Sequence, residues 1–236
     1  MSRETRSGAF PPSLPDSLSS HRSICENDWE AFRNVDQMVN HWGRNEWPKG
    51  RRSFFWYLTF QDSELIKNVE RCHAHIDSDG IDFVPLDGLH ITVLRIGNHE
   101  QVPDEDVQAI ADIAKEKLRV FEKFSLDIGP LAGSRGALRF SVSPWTKLFQ
   151  LHEIVRESTC KVLTNVPIAE TDQFRPHLGI GYSNRRQDAS QFIDHATQLR
   201  NFDPVTVEVD NVKIVRLRRE EHAYRWEDVA TIGLCD

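Results

Sequence analysis

Apolar positions along this chain switch repeatedly between a helical and a strand period. Over residues 26–41, Trp29, Phe32, Val35, Met38 and Val39, with Trp42 just beyond, recur at helical spacing, and Asn27 or Asp28 can serve as the N-cap. The run SFFWYLTF, residues 53–60, is aromatic and β-branched, as in a buried strand. Asp62 or Ser63 then caps a helix carried by Leu65, Ile66, Val69 and Ile76 to about residue 78. A loop with Asp79, Gly80, Pro85 and Gly88 delivers a second strand over residues 89–97. From Asp104 another helix gathers Val107, Ile110, Ala111, Ala114, Leu118 and Phe121 on one face.

The second half repeats the theme. Strands over residues 124–128 and 137–142 are joined by the turn-rich PLAGSRG, and a helix follows over residues 146–163. A strand over 175–183, a helix over 189–199, and two closing strands over 205–217 and 222–234 complete the chain. Hairpin-like pairs interrupt the alternation of helix and strand, which predicts an α+β fold rather than a doubly wound parallel sheet. The expected form is two similar lobes, with mixed or antiparallel sheets flanked by helices and a central cleft between them. Residues 1–23, rich in Ser, Pro and Arg, read as a flexible tail. Residues 24–52 read as an N-terminal helix and lead-in, and residues 53–236 as the bilobal domain.

Composition narrows the function classes. A chain of 236 residues buries a core without disulfides. Its net charge of −7 argues against coating nucleic acid through bulk charge, though a basic pocket is compatible with it. No apolar run approaches the roughly 18 residues of a membrane span, so no membrane partner is expected. Cys25, Cys72, Cys160 and Cys235 are far apart and lack metal-ligand spacing, and the N-terminus lacks an apolar signal segment. A reducing, cytoplasmic setting is the expectation.

Two strands carry candidate chemistry. In LHITVLR, residues 89–95, His90 and Thr92 leave one face of the strand together, placing an imidazole beside a hydroxyl. Such a pair can move a proton and donate to a phosphoryl oxygen, although the triplet also occurs in strands as a half-buried histidine. In FRPHLGI, residues 174–180, His177 and Gly179 share a face in the same way. One histidine from each wall of a cleft would give a neutral general base and a protonated general acid, with no metal required. His73 and His75 form a His-x-His on a helix, a poor metal geometry, and read as surface residues. The stretch RLRREEHAYR reads as a solvated hairpin turn, Tyr224 and Trp226 as strand aromatics, and residues 129–136 as a turn without the features of a phosphate-cradling loop.

LHITVLR and FRPHLGI, with the segments over 41–60 and 214–234 that flank them, resemble the paired motifs of the two-histidine (2H) phosphoesterase superfamily, in its bacterial 2′-5′ RNA ligase-like branch. The resemblance covers about residues 41–236. It implies a LigT-like fold and metal-independent chemistry on 2′-5′ phosphodiesters or 2′,3′-cyclic phosphates, with an RNA end or a small phosphorylated nucleotide as substrate. It implies no cofactor and no obligate protein partner. Carried over, His90 and His177 are the acid and base pair and Thr92 a phosphate-binding hydroxyl. The pattern is His-x-Thr or His-x-Ser twice, and Gly179 departs from it by offering only backbone or space. The loss of one such donor costs roughly 10²–10³ in rate.

Ser183 is a poor substitute, since four strand residues span about 13 Å. The remaining candidates are Arg95, Arg139, Arg175, Arg185, Arg216 and Tyr182. In an unbulged strand the odd spacing of Arg95 from His90, and of Tyr182 from His177, turns both away from the cleft. An alternative function is an RNA- or nucleotide-binding protein of the same fold that has lost turnover at Gly179. A third is an interaction protein using its Trp-bearing N-terminal helix as a contact surface.

Overall fold

The structure, a computed structural model, describes residues 8–43 and 47–235. Residues 1–7 of the expected tail and 44–46 of the lead-in lie outside the described residues. In chain order the helices are α1 (His21–Arg33), α2 (Ser63–His75), α3 (Asp104–Leu118), α4 (Thr146–Val162) and α5 (Ser190–Leu199). The strands are β1 (Gln37–Met38), β2 (Arg52–Thr59), β3 (Ile81–Phe83), β4 (His90–Asn98), β5 (Phe124–Ser134), β6 (Ala137–Ser143), β7 (His177–Ser183), β8 (Gln187–Asp188), β9 (Val205–Val209), β10 (Asn211–Glu220) and β11 (Ala223–Gly233).

Two antiparallel sheets form the lobes, one ordered β11-β10-β2-β4 and the other β3-β7-β6-β5-β9. The fold is α+β, with antiparallel sheets flanked by helices, as expected. The lobes are not simply the two halves of the chain: β3 joins the second sheet, and β10 and β11 return to the first. The single strand expected over 205–217 breaks at Asp210, where the chain passes from β9, paired with β5, to β10, paired with β2. β5 runs through Ser134, so most of the expected PLAGSRG turn is strand.

One core joins both sheets and the helices between them. Behind the first sheet Trp56 is fully buried and its Nε1 donates to Thr159 Oγ1 of α4 at 3.1 Å. The opposite face of that sheet carries a separate cluster of Tyr57, Val215 and Leu217, covered by Trp47, Phe55, Tyr224 and Trp226. In the second sheet every residue of β6 is buried, and α1 lies across β5 and β6. The approach is close at Gly133, where a Cβ would meet Phe32 at 2.4 Å.

The N-terminal region differs from its reading. α1 starts at His21 with Ser20 as N-cap, its Oγ accepting from the Ser23 amide, so Asn27 and Asp28 lie inside the helix. Asp28 is buried instead of capping. The helix ends at Arg33, and Val35, Met38 and Trp42 reach the interior from extended chain and a short turn, His41–Gly43. Burial every third residue does not require a helix. Residues 8–23 pack against the fold rather than trailing as a tail: Phe10 packs against the core, and Pro11 is buried. His73 is also not a surface residue, for it stacks on Phe83 and hydrogen-bonds the Ile180 carbonyl oxygen at 2.8 Å.

Candidate active site

His90 opens β4 directly after the short helical turn Leu86–Gly88, and its Nδ1 donates to the Gly88 carbonyl at 2.8 Å. The ring lies flat on Tyr57, with centroids 4.3 Å apart, and meets the edge of Trp226 at 5.2 Å. His177 opens β7 in the other lobe, and its Nδ1 donates to the Arg175 carbonyl at 2.7 Å. A carbonyl only accepts, so each Nδ1 carries the proton and each Nε2 is left as the basic nitrogen. Burial lowers the pKa of His90 to about 4. Burial, then the nearby Arg139 charge, lowers that of His177 to about 3, and the two histidines feel each other's charge. Both are neutral at neutral pH.

Thr92 follows on the His90 face, directly opposite Tyr57. Beyond Thr92 the strand alternation fails. Thr92 pairs with Tyr57, Leu94 with Trp56 and Arg95 with Phe55, leaving Val93 as an extra residue. This bulge returns Arg95 to the face of Thr92. β7 does the same: Arg139 pairs with Gly179, Leu138 with Gly181 and Ala137 with Tyr182, leaving Ile180 as the extra residue. Tyr182 thereby rejoins the face of His177 and Gly179. Each bulge falls three residues after its histidine and brings the fifth residue into the cleft. Arg95 and Tyr182 therefore face inward, contrary to what their odd spacing predicts. For the same reason Ser183 turns away, its hydroxyl donating to the Arg185 carbonyl at 2.9 Å.

The cleft holds a cavity of about 870 Å³, lined among others by Thr92, Arg95, Arg139, Arg175, His177 and Tyr182. His90 borders an adjoining crevice with Gly88, Tyr182 and Tyr224, so Tyr182 touches both spaces. Of the other cation candidates, Arg185 pairs with Asp79 at 2.6 Å and Arg216 with Asp104 at 2.9 Å, and neither lines this cavity. Chain from residues 8–13 forms one wall. There Arg139 donates to the Phe10 carbonyl at 3.0 Å and Arg175 Nε to the Pro11 carbonyl at 3.0 Å.

Several residues at the cleft escaped the sequence reading. His41 stacks on Tyr182 at 4.1 Å and its Nε2 lies 3.0 Å from the Tyr224 hydroxyl. Asp28 of α1 is buried 3.6 Å from Arg139. His152, its pKa lowered to about 4 by burial, hydrogen-bonds Thr171 at the cavity wall. Only the position of His41 before an aromatic run hinted at a role, and nothing local marked the other two. Among the described residues no group of three or more His, Cys, Asp or Glu is arranged to hold a metal ion.

A sequence model described as the 2′-5′ RNA ligase superfamily matches residues 62–221, more than half of the chain and both histidine strands. The chain belongs to that superfamily, the 2H phosphoesterases. Its fold is similar to that of E. coli LigT in the apo form, at 17% identity and a TM-score of 0.58, over 79% of this chain and 99% of that one. E. coli LigT complexed with 3′-AMP is similar at 16% identity and a TM-score of 0.58, over 79% and 99% of the two chains. TT0787 of Thermus thermophilus matches at 16% identity and a TM-score of 0.59, over 77% and 97%. At these identities the likeness is one of fold. No curated protein sequence matches this member of the superfamily.

Proposed function

We propose that this protein is a phosphodiesterase or 2′-5′ RNA ligase-like enzyme that acts on 2′,3′-cyclic phosphate or 2′-5′ phosphodiester groups of RNA or nucleotides, without metal. Superfamily membership supports phosphoesterase-type chemistry. The observation that carries the finer reading is the matched pair of Nδ1–H to carbonyl bonds, at Gly88 and Arg175, which presents two basic Nε2 atoms from opposite lobes. The nucleotide complex of the similar LigT supports a nucleotide as substrate.

In hydrolysis, Nε2 of one histidine takes a proton from water as the water oxygen bonds to phosphorus. The other histidine, protonated, gives its proton to the departing ribose oxygen as the phosphorus–oxygen bond breaks. The Thr92 hydroxyl donates to a phosphoryl oxygen, and Arg139 and Arg175 favour the anion from the cavity wall. In ligation a ribose hydroxyl takes the place of water: one histidine accepts its proton as its oxygen bonds to phosphorus, and the other gives a proton to the ring oxygen that departs as the cyclic phosphate opens. The reading of a binder without turnover gains nothing from these residues, since both histidines keep the orienting bonds that proton transfer needs. Four free cysteines support a reducing, cytoplasmic compartment.

The test is turnover of 2′,3′-cyclic nucleotides and 2′-5′-linked dinucleotides by purified protein in EDTA, beside His90→Ala and His177→Ala. Each substitution is expected to lower kcat by about 10²–10⁴. Undiminished turnover in either variant, or none in the wild type, overturns the reading.

A further inference from the structure

The second motif lacks the hydroxyl that Thr92 supplies to the first. We propose that Tyr182 supplies it, its phenol acting as the second phosphate-binding hydroxyl and reaching back along β7 into the space over Gly179. This rests on the phosphate-handling function proposed for the cleft.

The backbone makes the reach possible. With Ile180 unpaired, Tyr182 stands on the same face as His177 and Gly179, although five residues separate it from the histidine. A Cβ built on Gly179 would lie 3.4 Å from the Tyr182 hydroxyl and 3.7 Å from two carbons of its ring. The phenol oxygen therefore stands where a side chain at 179 would project. A β carbon there is an ordinary contact, but the γ atoms of threonine or serine would compete with the phenol for the same space. Glycine and tyrosine together are one solution to placing a hydroxyl at this point.

The ring is held for that purpose. It stacks on His41 with centroids 4.1 Å apart and meets the edges of Trp42 at 5.3 Å and Tyr224 at 5.6 Å. Three aromatic neighbours fix a side chain that has only two torsions to lose, so the donor is ordered before substrate arrives. The hydroxyl itself has no hydrogen-bond partner among the described residues. Burial raises the pKa of the phenol well above its usual value, so it remains a donor throughout the neutral range. Its position between the crevice beside His90 and the cavity beside His177 is where a phosphate shared by the two histidines would sit.

The experiment compares the full chain with Tyr182→Phe, Gly179→Ser and the double variant. Two quantities are measured, the affinity for inorganic phosphate and the turnover of a 2′,3′-cyclic nucleotide. Phenylalanine keeps the stacked ring, so the melting temperature should hold while phosphate binds about tenfold to a hundredfold more weakly, the loss expected for one hydrogen bond to a charged group. With the phenol oxygen gone there is room at 179, and serine in the double variant should recover part of that loss, a rescue that a structural role for Tyr182 would not produce. Unchanged phosphate affinity in Tyr182→Phe, or no phosphate binding by the wild type, overturns the proposal. Phosphate binding that depends on Tyr182 without any turnover leaves the donor in place and removes the enzyme reading. Turnover that depends on both histidines but not on Tyr182 does the reverse.

Discussion

His90 and His177 make the same hydrogen bond, each Nδ1 donating to the carbonyl two residues earlier, Gly88 at 2.8 Å and Arg175 at 2.7 Å. Each histidine is the first residue of its strand, so the preceding turn can fold its carbonyl back onto the ring. The bond fixes the tautomer and the ring plane at once, and it does so in both lobes. Two strands from different sheets thus offer equivalent basic nitrogens, while their neighbours, Tyr57 under one and Arg139 beside the other, make the two environments unequal.

That inequality and the shared burial set a pH dependence. The proposed reaction needs one histidine charged and one neutral, and the lowered values, about 4 for His90 and about 3 for His177, leave both neutral in the free protein near pH 7. The singly protonated form thins tenfold for each pH unit above these values. Accordingly kcat/KM, which reports the free enzyme, should fall as pH rises from about 5 to 8. A pH–rate series in EDTA checks this, and a rate that climbs through neutrality would contradict the pair.

The N-terminal helix belongs to the core. Ile24, Phe32 and Met38 are fully buried, and loss of each such side chain costs about 2–5 kcal/mol. Deleting residues 1–52 should therefore remove much or all of the usual margin of about 5–15 kcal/mol. Thermal unfolding followed by circular dichroism would show a lowered or absent transition. An unchanged melting temperature would instead free the helix for a partner.

Arg139 and Asp28 form a buried pair, 3.6 Å apart, with side chains 4% and 2% exposed. Arg139→Met would strand the Asp28 charge, or force its protonation, at a cost of about 3–5 kcal/mol. Burial already raises the Asp28 pKa while the Arg139 charge works against that rise. Urea denaturation should find Arg139→Met much less stable and the double variant with Asp28→Asn partly restored. Additive losses would mean the two groups do not interact.

Much of this molecule was legible in the chain. The periods of α2, α3, α4 and α5 placed those helices within a few residues, because each buries one face and Asp62 caps its helix as a short polar residue should, its carboxylate accepting from Glu64 and Leu65. The strands of His90 and His177 were legible from their apolar runs, and the paired motifs were enough to join them in one superfamily. The end of α1 was not, since Val35 and Met38 keep helical spacing yet are buried from extended chain. Nor was the packing of Phe10 and Pro11, which sit in a segment whose composition promises no core.

Local period and capping are properties of the chain alone, and they were enough to specify the two histidine strands and the helices that support them. Which further side chains enter the cleft was settled by sheet pairing. A strand alternates faces strictly until one residue is left unpaired, and nothing local in the residues around Val93 or Ile180 announces that. Pairing with β2 and β6 creates both bulges, and through them Arg95 and Tyr182 turn inward beside the two histidines.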